Sequence, residues 1–115
     1  MPDRSPLLRI HDMLKSIRGI EEALAGVSFD DYAGSWLLRS AVERGIEVIS
    51  EASRHIGANA KARHPEVRWK DIAGIGNILR HEYQTVDSLI IWKAVTHDLP
   101  ILKRALLAIR ASLER

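Results

Sequence analysis

The sequence specifies an all-α fold, an up-and-down bundle of about five helices. Apolar residues recur at three- and four-residue steps in each long segment, helix-starting residues head most of these segments, and none shows sustained two-residue alternation. With 115 residues the chain makes one domain spanning 1–115, and its 46% hydrophobic and 28% charged content suits a packed globule rather than a disordered chain.

The first helix begins at Ser5-Pro6, because proline at the first helical position gives up an amide hydrogen that has no partner there. Leu7, Ile10, Leu14, Ile17, Ile20 and Leu24 form its inner face, and it ends near Gly26. Ser28 to Asp31 resembles a capping box. A second, long helix is expected from about Asp31 to about Ala60. Its stripe of Leu38, Val42, Gly45, Ile49, Ala52 and Ile56 repeats close to every seven residues, so it should lie along a neighbour at a shallow angle. Such a helix would extend about 45 Å, so several helices or a second subunit must cover it.

His64-Pro65 breaks the pattern, and Arg68 to Asp71 opens a third helix carrying Ile72, Ile75, Ile78 and Leu79, expected to run through Tyr83. Asp87 can cap a short fourth helix from Ser88 to about His97, with Leu89, Trp92 and Val95 inward. Asp98 and Pro100 restart the chain as a last helix with Ile101 or Leu102, Ala105 or Leu106, Ile109 and Leu113 inward. Trp36, Trp69 and Trp92 are expected to anchor helices to one another.

Composition excludes several function classes. There is no cysteine, so disulfides and thiolate metal sites are ruled out. His55 and His64 lack a third ligand at a metal-binding spacing, and neither a metal nor a cofactor is expected. No apolar run nears the roughly 20 residues that cross a bilayer. The charged start, MPDRSPLLRIHD, is unlike a signal peptide, which predicts a cytoplasmic protein. A net charge of +2 permits a nucleic-acid partner without demanding one. Arg39, Arg44, Arg54, Lys61, Arg63, Arg68 and Lys70 read first as a solvated face and second as an RNA track.

Chemistry concentrates in GIGNILRHEY, residues 74–83. It groups a fixed cation, Arg80, with His81, which titrates near neutral pH, and Tyr83, a phenol that donates or accepts a hydrogen bond. On a helix Asn77 and His81 share one face, and Gly76 and Arg80 share a neighbouring one. Gly74 and Gly76 each cost about 1 kcal/mol of helix propensity against alanine, which suggests that another backbone or a ligand approaches closely there. A purely structural reading has Arg80 pairing with Glu82 or Asp87, His81 satisfying a backbone carbonyl, and Tyr83 closing the bundle.

GIGNILRHEY, with Val86-Asp87 and Ile91-Trp92 after it and Ala41 to Arg44 before it, resembles the HepT-type members of the HEPN superfamily, from Ile10 to about Leu107. That resemblance implies a homodimeric helical bundle acting as a metal-independent ribonuclease toxin, paired with a nucleotidyltransferase antitoxin of the MntA type. The family pattern is an arginine, four to six residues, a histidine, any residue and a tyrosine. His81, Glu82 and Tyr83 match its second half. The first half departs, since Gly74, Ile75 and Gly76 stand where the arginine would be; Arg80 is the nearest replacement, and Asn77 matches the asparagine that often follows the family arginine.

By resemblance, then, Arg80 and His81 are the catalytic candidates, Asn77 and Tyr83 bind substrate RNA, Tyr83 accepts AMP from the antitoxin, and Glu43 and Arg44 face the cleft. The rival expectations are a non-catalytic helical dimer that binds nucleotide, RNA or the antitoxin, and a helical scaffold with no cleft at all.

Overall fold

A computed structural model describes residues 5–81 and 87–115, with Arg80 and His81 described by their backbone alone. The described chain forms helices and turns, with no strand. The helices are α1 (Pro6–Leu24), α2 (Phe29–Ala33), α3 (Trp36–Ser53), α4 (Ala58–Ala62), α5 (Trp69–His81), α6 (Ser88–Lys93) and α7 (Leu99–Leu113), with a π-helical turn, Ala94–Asp98, between the last two.

Helix starts follow the expected capping chemistry. The Ser5 hydroxyl accepts from the Leu7 amide at 3.2 Å and that of Ser28 from the Asp31 amide at 3.1 Å, while the Asp87 carboxylate accepts from the Leu89 amide at 2.9 Å. Gly26 ends α1 with φ of 73°, a left-handed conformation that glycine adopts without steric cost.

The long helix expected from Asp31 to Ala60 is three helices. Gly34 closes α2, and Ser35 starts α3 afresh by accepting the Leu38 amide at 3.1 Å. At the other end Arg54 caps α3, and Gly57, in an extended conformation, leads into α4. At 18 residues α3 is about 27 Å long, not 45 Å. The apolar stripe was nonetheless placed correctly, since Val42, Ile49, Ala52 and Ile56 are all buried. Ile56 reaches the core from outside the helix because the loop after Ser53 folds back onto it.

The core lies where α1, α3, α5 and α7 meet. Ile10, Met13, Ile17 and Ile20 from α1 join Val42, Ile46 and Ile49 from α3, Ile72 and Leu79 from α5, and Leu102, Leu106 and Ile109 from α7. Burying each such side chain contributes roughly 1.5–3 kcal/mol. Close approach was expected at Gly74 and Gly76, but Gly45 and not Gly74 is a tightly packed glycine. A Cβ on Gly45 would stand 2.9 Å from Ile20 Cδ1 and 3.0 Å from Ile20 Cγ1, so this glycine is what lets α3 approach α1, whereas a Cβ on Gly74 would meet nothing within 4 Å.

The last segment also differs from the expected pair of helices. No break occurs at Asp98; α6, the π turn and α7 follow one another directly. The Thr96 hydroxyl donates to the Trp92 carbonyl at 2.8 Å inside this stretch. The extra residue in the π turn shifts the helical phase. In α6 it is Ile91 that is buried, and Leu89, expected inside, is exposed. Of the three tryptophans, Trp92 packs on Phe29 and Tyr32 with centroids 5.7 and 5.4 Å away, and Trp69 donates its indole N–H to the His64 carbonyl at 3.1 Å. Trp36, expected to anchor helices, is 73% exposed at the first position of α3, where no neighbouring helix covers it.

Candidate functional site

His81, the first residue of the matching half of the motif, is the last residue of α5. Ile72 and Leu79 turn inward and fix this helix on the core, which leaves Asn77 exposed. The helix continues to His81, so Asn77 and His81 stand one turn apart on the same face, as expected from their spacing. Gly76 and Arg80 form the adjacent stripe, and Gly76 is buried where α5 meets α3. Tyr83 lies outside the described residues. The structure therefore brings Asn77 and His81 together along one helix face and says nothing of Tyr83.

Gly76 is one of the positions, 74 to 76, where the resemblance implies an arginine. Its amide donates to the buried Ser50 hydroxyl of α3 at 3.2 Å, and Ser50 in turn donates to the Ala73 carbonyl at 2.7 Å. Arg54 donates to the same carbonyl at 3.0 Å. Sequence reasoning missed both bonds: a serine and an arginine at the end of a helix carry no spacing signal for a bond to a different helix. The basic residues do not make a simple track either. Arg54 is tied to α5, Arg44 lies 3.7 Å from Glu47, and Arg68 donates to Asp71 at 2.7 Å.

Glu43 is half-buried on α3 beside Arg39 and Glu47. Loss of hydration raises its carboxyl above the usual range, the Arg39 charge opposes that shift, and the Glu47 charge adds to it. Close by, the fully buried Tyr32 hydroxyl is pushed up to about 12, first by burial, then by the Glu43 charge, with Arg39 opposing. Tyr32 is therefore a neutral phenol at any physiological pH, packed against Trp92.

Next to α5 lies a cavity of about 390 Å³ with largely apolar walls, formed by Ile46 and Ile49 of α3, Ile72, Ile75 and Ile78 of α5, and Ile90 beyond them. Lys70 and Lys93 contribute charge to its lining, while Arg68 reaches Asp71 there and approaches Asp98 at 3.9 Å. Ile78 is 44% and Ile90 56% exposed, so the apolar lining continues onto the surface. Among the described residues no group of three His, Asp or Glu side chains is placed to hold a metal ion. No described helix is long and apolar enough to cross a membrane.

The family model described as Ribonuclease HepT-like matches residues 13–109, nearly the whole chain. The chain belongs to the HepT-like family. A protein of Methanocaldococcus jannaschii named "Putative RNase" is 34% identical over 95 residues, 83% of this chain and 87% of the relative. A "Probable ribonuclease HepT" of Thermococcus cleftensis is 36% identical over 94 residues, covering 82% and 86%. A "Putative RNase" of Caldanaerobacter subterraneus is 31% identical over 101 residues, covering 88% and 90%. No solved structure gives a significant match. HepT-like membership accounts for the helical bundle.

Proposed function

We propose that this protein is a metal-independent endoribonuclease and the toxin of a toxin–antitoxin pair, acting in the cytoplasm as a homodimer. What carries the reading is the HepT-like match over residues 13–109 together with the His81-Glu82-Tyr83 triplet in the sequence. RNA cleavage without a metal requires a base that takes the proton of a 2′-hydroxyl as its oxygen attacks the adjacent phosphorus. It also requires an acid that protonates the departing 5′-oxygen as the P–O5′ bond breaks, and positive charge beside the phosphorane. An imidazole with a reference pKa of about 6.5 serves either proton transfer near neutrality. In this reading His81 moves the proton, Arg80 holds the phosphate oxygens, and Asn77 and Tyr83 orient the substrate.

A single motif histidine per chain, His81, would have to serve both proton transfers in turn, and a two-fold dimer would relieve this by bringing two copies of His81 to one cleft. The apolar surface of Ile78 and Ile90, continuous with the cavity beside α5, supports such an arrangement because it borders the helix that ends at His81. The partner in this reading is a nucleotidyltransferase antitoxin that transfers AMP to Tyr83, adding charge and bulk beside the cleft. Mass spectrometry of the protein co-expressed with that partner should find the adduct on Tyr83, and adenylate on another residue alone would refute this part.

The deciding experiment is cleavage of a labelled RNA in excess EDTA by wild-type protein and by His81→Ala. Loss of a general acid or base costs about 10²–10⁴-fold, so the variant should fall at least 100-fold below wild type. One observation favours a second reading: Gly76, with no side chain, is buried against Ser50 at a position where the family pattern has arginine. If wild type and His81→Ala both cleave negligibly, the protein is instead a non-catalytic dimer that binds nucleotide, RNA or its antitoxin.

A further inference from the structure

Two buried serines on α3 are used in opposite ways. Ser53 turns back on its own helix and donates to the Ser50 carbonyl at 2.7 Å, a bond that any helical serine can make. Ser50, fully buried, leaves its own helix and bonds to α5 twice. Its hydroxyl donates to the Ala73 carbonyl at 2.7 Å and accepts from the Gly76 amide at 3.2 Å, so one oxygen is engaged in both directions by backbone groups three residues apart. Arg54, one turn further along α3, adds a second donor to the Ala73 carbonyl.

The other residues by which these helices join the core are apolar, Ile46 and Ile49 of α3 and Ile72 and Leu79 of α5, and such packing is non-directional and tolerates small slides and rotations. A two-way hydrogen bond tolerates neither, since both distance and angle are restricted. Asn77 follows Gly76 directly, Arg80 lies one turn beyond Gly76, and His81 one turn beyond Asn77. Whatever fixes the Ala73–Gly76 turn therefore fixes where these backbone positions stand relative to α3.

We propose that Ser50 is a positioning residue for the site, its hydroxyl setting the rotation and axial position of the end of α5 that holds the backbone of Asn77, Arg80 and His81. The proposal deepens the ribonuclease reading and rests on it for its consequence in activity. A displacement of about 1 Å in catalytic geometry can cost on the order of 100-fold, so a lost latch should appear in turnover and not in substrate capture.

The test uses the full chain with Ser50→Ala and Ser50→Thr, the latter keeping the hydroxyl. In RNA cleavage, Ser50→Ala should lower kcat at least tenfold with KM within about threefold of wild type, and Ser50→Thr should recover most of kcat. In amide NMR spectra of Ser50→Ala, the Asn77 and His81 signals should shift together with that of Gly76. Wild-type kcat in Ser50→Ala overturns the proposal, as does a loss of activity that only tracks the fraction unfolded. A stably folded Ser50→Thr as inactive as the alanine variant overturns it too. Should Ser50→Thr not fold, the spectra of Ser50→Ala decide: shifts confined to Gly76 and Ala73 refute a positioning role. Should wild-type protein cleave no RNA, the ribonuclease reading falls while the same spectra still test what Ser50 does to α5.

Discussion

Gly45→Ala and Gly74→Ala make the same chemical change in the middle of two helices, and the structure requires opposite outcomes. Alanine is about 1 kcal/mol better than glycine inside a helix. At Gly74 nothing obstructs the new methyl group, so this gain should be retained in full. At Gly45 the methyl would stand 2.9 and 3.0 Å from the side chain of Ile20, which is itself only 3% exposed and has little room to move. Overpacking of this kind costs typically 1–3 kcal/mol. Set against the helix gain, the net effect at Gly45 runs from about zero to a loss of about 2 kcal/mol, leaving the two variants about 1–3 kcal/mol apart. For a chain of this length each kcal/mol moves Tm by roughly 4 °C. Urea unfolding followed by circular dichroism, at one fixed protein concentration because association contributes to stability, should place Gly74→Ala above wild type and Gly45→Ala at or below it. A Gly45→Ala protein stabilised as much as Gly74→Ala would refute the assignment of Gly45 as the point where α1 and α3 meet.

Glu43 predicts a pH dependence with a definite sign. Its carboxyl sits above the usual range when folded, chiefly through burial, so between the unfolded and folded values the native state holds the proton more tightly. Stability from this group is therefore present at low pH and declines as pH rises through the folded value. Glu43→Gln should raise Tm at pH 7 and lose that advantage near pH 4; an equal gain at both values would show that charge burial is not the cause. The surface of Ile78 and Ile90 predicts association: wild-type protein should sediment at twice the chain mass, and Ile90→Glu, at a position 56% exposed in the single chain, should sediment as a folded monomer. A dimer unaffected by Ile90→Glu would move the interface elsewhere.

The backbone register of Asn77 and His81 was legible because the helix alone sets it: four-residue spacing puts both positions on one face, and α5 does run to His81. The tie from Ser50 to Ala73 and Gly76 was illegible because it joins residues 23 and 26 apart through a hydroxyl that leaves no periodic trace.

By itself the sequence determined the helical class, the starts of α1, α2 and α6, and most of the inward-facing stripes, since capping groups and 3.6-residue periodicity act over a few neighbouring residues. It did not determine that one apolar stripe spans several helices, because Ser35 and Gly57 interrupt the backbone without interrupting the pattern of burial. Nor did it determine which glycine serves packing. That depends on whether a side chain from a distant segment, Ile20, arrives opposite Gly45 and leaves Gly74 uncovered, which is a property of two helices meeting and of neither one alone.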